Sequence, residues 1–200
     1  KNQSIAEIVL NHYGISKDLI PEIVDTFGAQ GQLSPTAAME LGLAAGTPIT
    51  YRGGDQPNNA FSLNVLRPGE VAATAGTSGV VYGVSDKEKY DPQSRVNTFV
   101  HVNHKPAEPK YGVLLCINGT GILNSWMKNK MLGLVPDMDY NVMNNLASEV
   151  AVGAEGLVVL PFGNGAERVL GNKDIGAQVL NLRFNNHTVS HILRAAQEGS

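Results

Sequence analysis

Residues 70–84 read "EVAATAGTSGVVYGV", and this stretch constrains the fold more than any other. Two β-prone runs flank Gly76-Thr77-Ser78-Gly79, a tip of two glycines and two hydroxyls. Such a tip between strand-forming runs turns the chain back on itself as a hairpin. It also exposes backbone N–H groups, and a concavity of that kind can take phosphate oxygens. No Lys follows and no helix opens behind it, so it is not a Walker motif. An ordinary hairpin turn accounts for the four residues equally well.

The rest of the chain alternates. Downstream, "VNTFVHV" and "YGVLLCI" read as strands, and the second leads through Asn118-Gly119-Thr120-Gly121 into the helix "ILNSWMKNKML". The start of that helix would favour an anion, although Thr120 as an N-cap is the simpler reading. Within the helix, Trp126 among Ile122, Leu123 and Met127 reads as a core anchor. A polar helix around 141–150 follows, with Asp137 and Asp139 in the loop and at its start. Then come the apolar strand "EGLVVLPF", a Gly- and Asn-rich loop over 163–176 and the strand "AQVLNLRF". The last segment, "HTVSHILRAAQEG", is amphipathic, with Val189, Ile192, Leu193 and Ala196 facing inward.

Upstream, Ser4 and Glu7 form a possible capping box for a helix to about Gly14, and a second helix is expected over 17–24. "LSPTAAMELGL" supplies Ser34 as N-cap, Pro35 in the first turn and Gly42 as a stop. "GTPITYRGGD" reads as a strand running into a glycine turn, "PNNAFSLNVL" as weakly helical, and Arg67-Pro68-Gly69 as a boundary. Strands and helices in alternation predict an α/β class, with a mixed sheet covered by helices.

Composition narrows the function classes. The chain has 200 residues, 42% hydrophobic and 16% charged, with a formal net charge of -3. That charge offers no basic field for nucleic acid or an anionic membrane, and no apolar run reaches the length of a membrane span. A single cysteine, Cys116, allows no intrachain disulfide and favours a reducing compartment, which is to say the cytoplasm.

Within "YRGGDQPNNA" (residues 51–60), Asp55 follows Gly53 and Gly54 at a strand exit. Catalytic groups often occupy the carboxyl ends of strands in α/β folds, and glycines beside them allow close approach or unusual φ values. The competing reading is a turn Asp bonded to its own backbone. Two histidine pairs, His101 with His104 and His187 with His191, lack a carboxylate or thiolate at a metal-site spacing.

Taken in order, these segments resemble the FGGY carbohydrate kinases. "LSPTAAMELGLAAGTPITYRGGDQ" is similar to the approach to that family's catalytic aspartate, usually Gly-Gly-Gly-Asp-Asn. "VLRPGEVAATAGTSGVVYGV", "GAEGLVVLPFGNGAER" and "HTVSHILRAAQEG" are similar to later blocks. The resemblance implies an actin-like, ribonuclease H-like ATPase fold and parts of two domains. Residues 1–66 would end the first, sugar-binding domain, and residues 67–200 would form most of the second, nucleotide-binding one. It implies a piece of a longer protein, with an early Asp-x-Gly-Thr hairpin and a later glycine-rich adenosine segment outside these residues.

The activity implied is ATP-dependent phosphorylation of the terminal hydroxyl of a ketopentose such as D-xylulose. Ribulose, fuculose or glycerol as acceptor, or a non-catalytic binding derivative, are the alternatives. Asp55 would be the general base, Asp55 and Gln56 would contact the sugar, and Gly76, Thr77 and Gly121 would lie on the nucleotide phosphates. The partners implied are ATP and a small sugar, with Mg²⁺ carried without a direct protein ligand and a homodimer as the assembly. Gln56 stands where Asn is commoner, Arg52 where a small residue is commoner, and "FGNGAERVLGN" where the family usually has Ser-Gly-Glu-Arg-x-Pro.

Overall fold

The computed structural model describes residues 5–200, so the capping box expected at Ser4 lies outside the described residues. The chain divides into two compact units, residues 1–53 and 54–200.

In the first unit, helix α1 (Glu7–Tyr13) ends at Gly14 in the left-handed conformation. The helix expected over 17–24 is only a single tight turn, Lys17–Leu19, capped by the Ser16 hydroxyl. Pro21 explains the difference: Ile20 before it is extended (φ -88°, ψ 120°), as steric conflict with a following proline ring dictates. Strand β1 (Phe27–Gln32), which its two glycines hide in the sequence, pairs antiparallel with β2 (Pro48–Tyr51). Between them α2 (Pro35–Leu41) forms as its residues specify. The Ser34 hydroxyl accepts from Ala37 N–H at 3.2 Å, and Gly42 closes the helix at φ 65°.

The second unit opens with α3 (Asp55–Ser62). A four-stranded sheet follows in the order β3 (Val71–Ala75), β4 (Gly79–Ser85), β6 (Tyr111–Ile117), β5 (Asn97–Val100). Every pair is antiparallel; β3–β4 and β5–β6 are consecutive in the chain, as antiparallel pairing allows, while β4 and β6 pair with β5 intervening in the sequence. Beyond β6 come α4 (Thr120–Trp126), a wider helical turn over Met127–Met131 and α5 (Tyr140–Ser148). Then β7 (Val158–Leu160) pairs antiparallel with β8 (Gln178–Leu180), and α6 (Val189–Gly199) ends the chain. The helical segments therefore lead into a separate ribbon and not back into the sheet. Among the described residues no strands pair in parallel, in contrast to the expected mixed sheet.

Two apolar clusters hold this unit. One joins Leu123 and Met127 of α4 and its extension to Met143 of α5, Val159 of β7 and Leu193 and Ala196 of α6. Each large side chain so buried is worth roughly 1.5–3 kcal/mol. The other seats Ala60 of α3 against Ala72, Tyr82 and Leu114 of the sheet. Trp126 is not the core anchor expected. It is 51% exposed, because the Leu123–Met127 pair, four residues apart, takes the inward face and turns the Ile122–Trp126 pair aside. Val189, expected inward, is likewise exposed at the first turn of α6.

The histidines serve the backbone. His191 Nδ1 accepts from Thr188 N–H at 3.2 Å in the capping box of α6, and His187 Nδ1 accepts from Arg183 N–H at 3.0 Å. His104 Nδ1 accepts from Lys110 N–H at 3.2 Å. His101, fully buried, donates from Nε2 to the Val65 carbonyl at 3.1 Å and accepts from the Tyr82 hydroxyl at Nδ1, at 3.0 Å. Burial pushes the Tyr82 phenol up to about 12.

Burial also lowers the His101 pKa, and nearby Lys110 adds to the effect against the Val65 carbonyl. The unfolded chain therefore binds this proton more readily than the folded one. The stabilisation is complete above the ordinary imidazole value, about 6.5, and is lost as pH falls below it. Thermal unfolding should show a drop in Tm between pH 7.5 and 5.5 that His101→Gln flattens. A parallel drop in that variant would refute the assignment.

Candidate functional site

The hairpin and the start of α4 form one interlocked structure. Ala75 pairs with Gly79, so residues 76–78 make the tip, drawn in by Gly76 N–H donating to the Ser78 carbonyl at 3.1 Å. The Thr77 carbonyl accepts from Ile122 N–H at 3.0 Å, satisfying a donor that the first helical turn leaves open. Gly121 lies directly on the tip, where a Cβ would come 1.8 Å from the Gly76 oxygen. One residue earlier, a Cβ on Gly119 would come 1.3 Å from the Pro161 oxygen. Only glycine fits at either place.

Gly76, Thr77 and Gly121 thus lie side by side. Among the described residues, the N–H groups of Thr77 and Ser78 donate to no protein acceptor. Thr120 is not the N-cap. Gly119 holds that position, and Thr120 is 4% exposed with its Oγ1 unpartnered among the described residues. Gly79 sits against that hydroxyl. The tip therefore carries unsatisfied donors above a buried hydroxyl, an arrangement that fits phosphate oxygens.

Asp55 is the first residue of α3, with Gly54 as N-cap at φ -65°, ψ 154°. That is ordinary extended backbone, so an unusual φ, one of the two uses open to a glycine there, is not the one Gly54 serves. Asp55 is exposed, and Oδ1 accepts from Gln56 N–H at 2.8 Å. Gln56 is half-buried beside it. Ala60 sits over the middle of the sheet and Val65 beside His101, next to the Tyr111 end. At the opposite end of the sheet Ile117 pairs with Gly79 and the tip begins. No hydrogen bond joins Asp55 to the tip among the described residues.

At that same end the loop after β7 grips Asn118 at three points. Asn118 N–H donates to both oxygens of Glu167 at 2.9 and 3.2 Å, its carboxamide donates to the Ala166 carbonyl at 3.0 Å, and its carbonyl accepts from the Asn164 amide at 2.9 Å. Beside this junction is a polar hollow of about 240 Å³ whose lining includes Arg95, Asn97, Cys116, Asn118, Arg168 and Asn172. Arg95 is held by a two-pronged pair with Asp91 at 2.8 and 3.1 Å, and Arg168 donates to the Asn97 side chain. The arginine holds the Asp91 carboxyl well below the usual carboxylate range. Sequence reasoning missed Glu167, Asn164 and Arg168 as parts of a site. Their only signal was the block "GAEGLVVLPFGNGAER", which carries no local pattern pointing back to residue 118.

Among the described residues, no three His, Cys, Asp or Glu side chains are placed to hold a metal ion, and no helix is long and apolar enough to cross a membrane. No family model matches the chain. It is 28% identical over 204 residues to a gluconokinase of Bacillus subtilis (strain 168), covering 96% of this chain and 38% of that protein. It is 26% identical over 191 residues to a xylulose kinase of the same organism, covering 96% and 37%. The crystal structure of xylulose kinase from Rhodospirillum rubrum superposes with a TM-score of 0.75 at 26% identity, over 98% of this chain and 38% of that one. The chain thus spans under two-fifths of the length of these relatives. Its fold is that of the sugar kinases with an actin-like ATPase architecture. By sequence over nearly its whole length and by that fold, the chain resembles the FGGY carbohydrate kinases.

Proposed function

We propose that the protein containing this chain is an ATP-dependent sugar kinase, acting in the cytoplasm on the terminal hydroxyl of a small sugar. The observation that carries the reading is the tip: donors at Thr77 and Ser78 without protein acceptors, locked by Gly121 onto a helix start above the buried Thr120 hydroxyl. Residues 67–200 would be most of the nucleotide-binding domain, and residues 1–66 the end of the sugar-binding one.

A sugar hydroxyl is a poor nucleophile at neutral pH, and phosphoryl transfer asks mainly for alignment and charge neutralisation. The backbone at Gly76, Thr77 and Gly121 would line the nucleotide phosphates. Asp55, on the first turn of α3, would accept the proton of the attacking hydroxyl, while Gln56 would contact the sugar beside it. Mg²⁺, carried on the phosphates, would supply charge neutralisation. It needs no direct ligand from these residues.

D-xylulose is the first acceptor to test, since xylulose kinases are among the relatives by both sequence and structure. A second reading has a specific observation behind it. Arg95 and Arg168 line the hollow that shares Asn118 with the phosphate turn, and guanidinium groups recognise carboxylates. A sugar acid, as in the gluconokinases, would use them. ADP release by the full-length protein, compared across D-xylulose, D-ribulose, glycerol and D-gluconate, decides the acceptor. The first reading predicts the highest kcat/KM with D-xylulose, and the second predicts it with D-gluconate. No turnover on any acceptor would leave a non-catalytic binding protein.

A further inference from the structure

We infer that Glu167 is a positioning residue for the nucleotide phosphates, acting through the Asn118–Gly121 turn on the hairpin tip. This rests on the reading of the tip as the phosphate site.

Glu167 is 0% exposed, and among the described residues it forms no ion pair. A buried carboxyl without a cation is costly unless its hydrogen bonds are essential to the local structure. Its backbone is tied within its own loop, since its N–H donates to the Lys173 carbonyl at 3.0 Å and its carbonyl accepts from Asn172 N–H at 2.9 Å. The side chain alone leaves the loop, and both oxygens go to one donor, Asn118 N–H, 49 positions away.

From that donor the contacts run without a gap to the tip. Gly119 is pressed on the Pro161 oxygen, Thr120 lies against Gly79, Gly121 is pressed on the Gly76 oxygen, and Ile122 N–H donates to the Thr77 carbonyl. There is no room in this series for a methyl group at either glycine, so a shift at Asn118 cannot be absorbed before the tip. Glu167 sets where the turn begins, and the turn sets where the Thr77 and Ser78 donors stand. The sheet core beneath, built on Ala60, Tyr82 and Leu114, does not involve Glu167. Its loss should therefore fall on nucleotide binding and spare the fold.

The test is steady-state kinetics on the full-length enzyme with MgATP and sugar varied separately. Glu167→Ala removes the acceptor and strands a half-buried N–H, and a tenfold rise in KM for MgATP is expected with KM for the sugar unchanged. Glu167→Gln offers the same acceptor oxygen and should restore KM for MgATP to within threefold of wild type. Glu167→Asp, one methylene short of Asn118 yet able to pack, should fall between them, and it carries the test if the alanine variant does not fold. Unchanged KM for MgATP in both Glu167→Ala and Glu167→Asp would overturn the inference. So would equal impairment of the Gln and Ala variants, or an equal rise in both KM values. Gly121→Val separates the two claims. If it raises KM for MgATP and Glu167→Ala does not, only the role of Glu167 fails. If Gly121→Val leaves KM for MgATP unchanged, the phosphate site itself is misplaced.

Discussion

Asp55→Asn should lower kcat of the full-length protein by about 10²–10⁴-fold, the usual contribution of a positioned general base. KM for MgATP should stay near the wild-type value, since the carboxyl is lost from the proton transfer and not from the nucleotide site. The variant separates the two readings of Asp55, the base and the turn aspartate. Asp55 is exposed at the first position of α3, and its carboxylate accepts from the neighbouring Gln56 N–H. Asparagine can keep that bond, so the helix start should survive and Tm should change little. Coupled ADP-release kinetics and a thermal melt of the same preparation check the pair of expectations. Wild-type turnover in the variant would remove Asp55 from the chemistry. A fall in turnover matched by a collapse in Tm would assign it to the fold.

Gly121→Ala should severely damage the proposed nucleotide site. The added carbon would fall 1.8 Å from the Gly76 oxygen, and both partners are backbone, with no flexible side chain to yield. Either the tip lifts from α4, breaking the Ile122 N–H to Thr77 carbonyl bond, or the helix start moves away from the sheet. Overpacking of this kind costs roughly 1–3 kcal/mol. Because the displaced group is the site itself, KM for MgATP should rise at least about tenfold, equivalent to about 1.4 kcal/mol. Titration of the variant with MgADP by calorimetry, beside wild type, measures it. Equal affinities would show that the tip does not bind the phosphates.

What could be read from the residues, and what could not, follows the range of the interactions. The hairpin, α2 with its Ser34 cap and Gly42 stop, and the start of α5 at Asp139 were legible because their determinants lie within four residues of the place they act. Strand β1 was hidden because its pairing with β2, through Phe27 opposite Tyr51, is what makes it a strand. Trp126 and Val189 misled because hydrophobicity predicts that some helix face is buried, and only packing decides which. Thr120 has the residue type of an N-cap, yet the Thr77 carbonyl across the hairpin serves the helix donor in its place. In the candidate site, Gly76, Thr77, Gly121 and Asp55 stood out as glycine-marked turns and a strand-exit carboxylate. Glu167 could not be found this way, since its only bearing on the site is a bond to a donor 49 residues distant.

The central claim is that these residues serve phosphoryl transfer to a sugar, and the stoichiometry of a single reaction tests it most directly. The full-length protein should be incubated with MgATP, with and without the acceptor that gives the highest kcat/KM, and both ADP and sugar phosphate quantified. One sugar phosphate for each ADP, with ADP release falling to near background when the sugar is omitted, is the predicted result. ADP release indifferent to the sugar, or none with any acceptor, would contradict it.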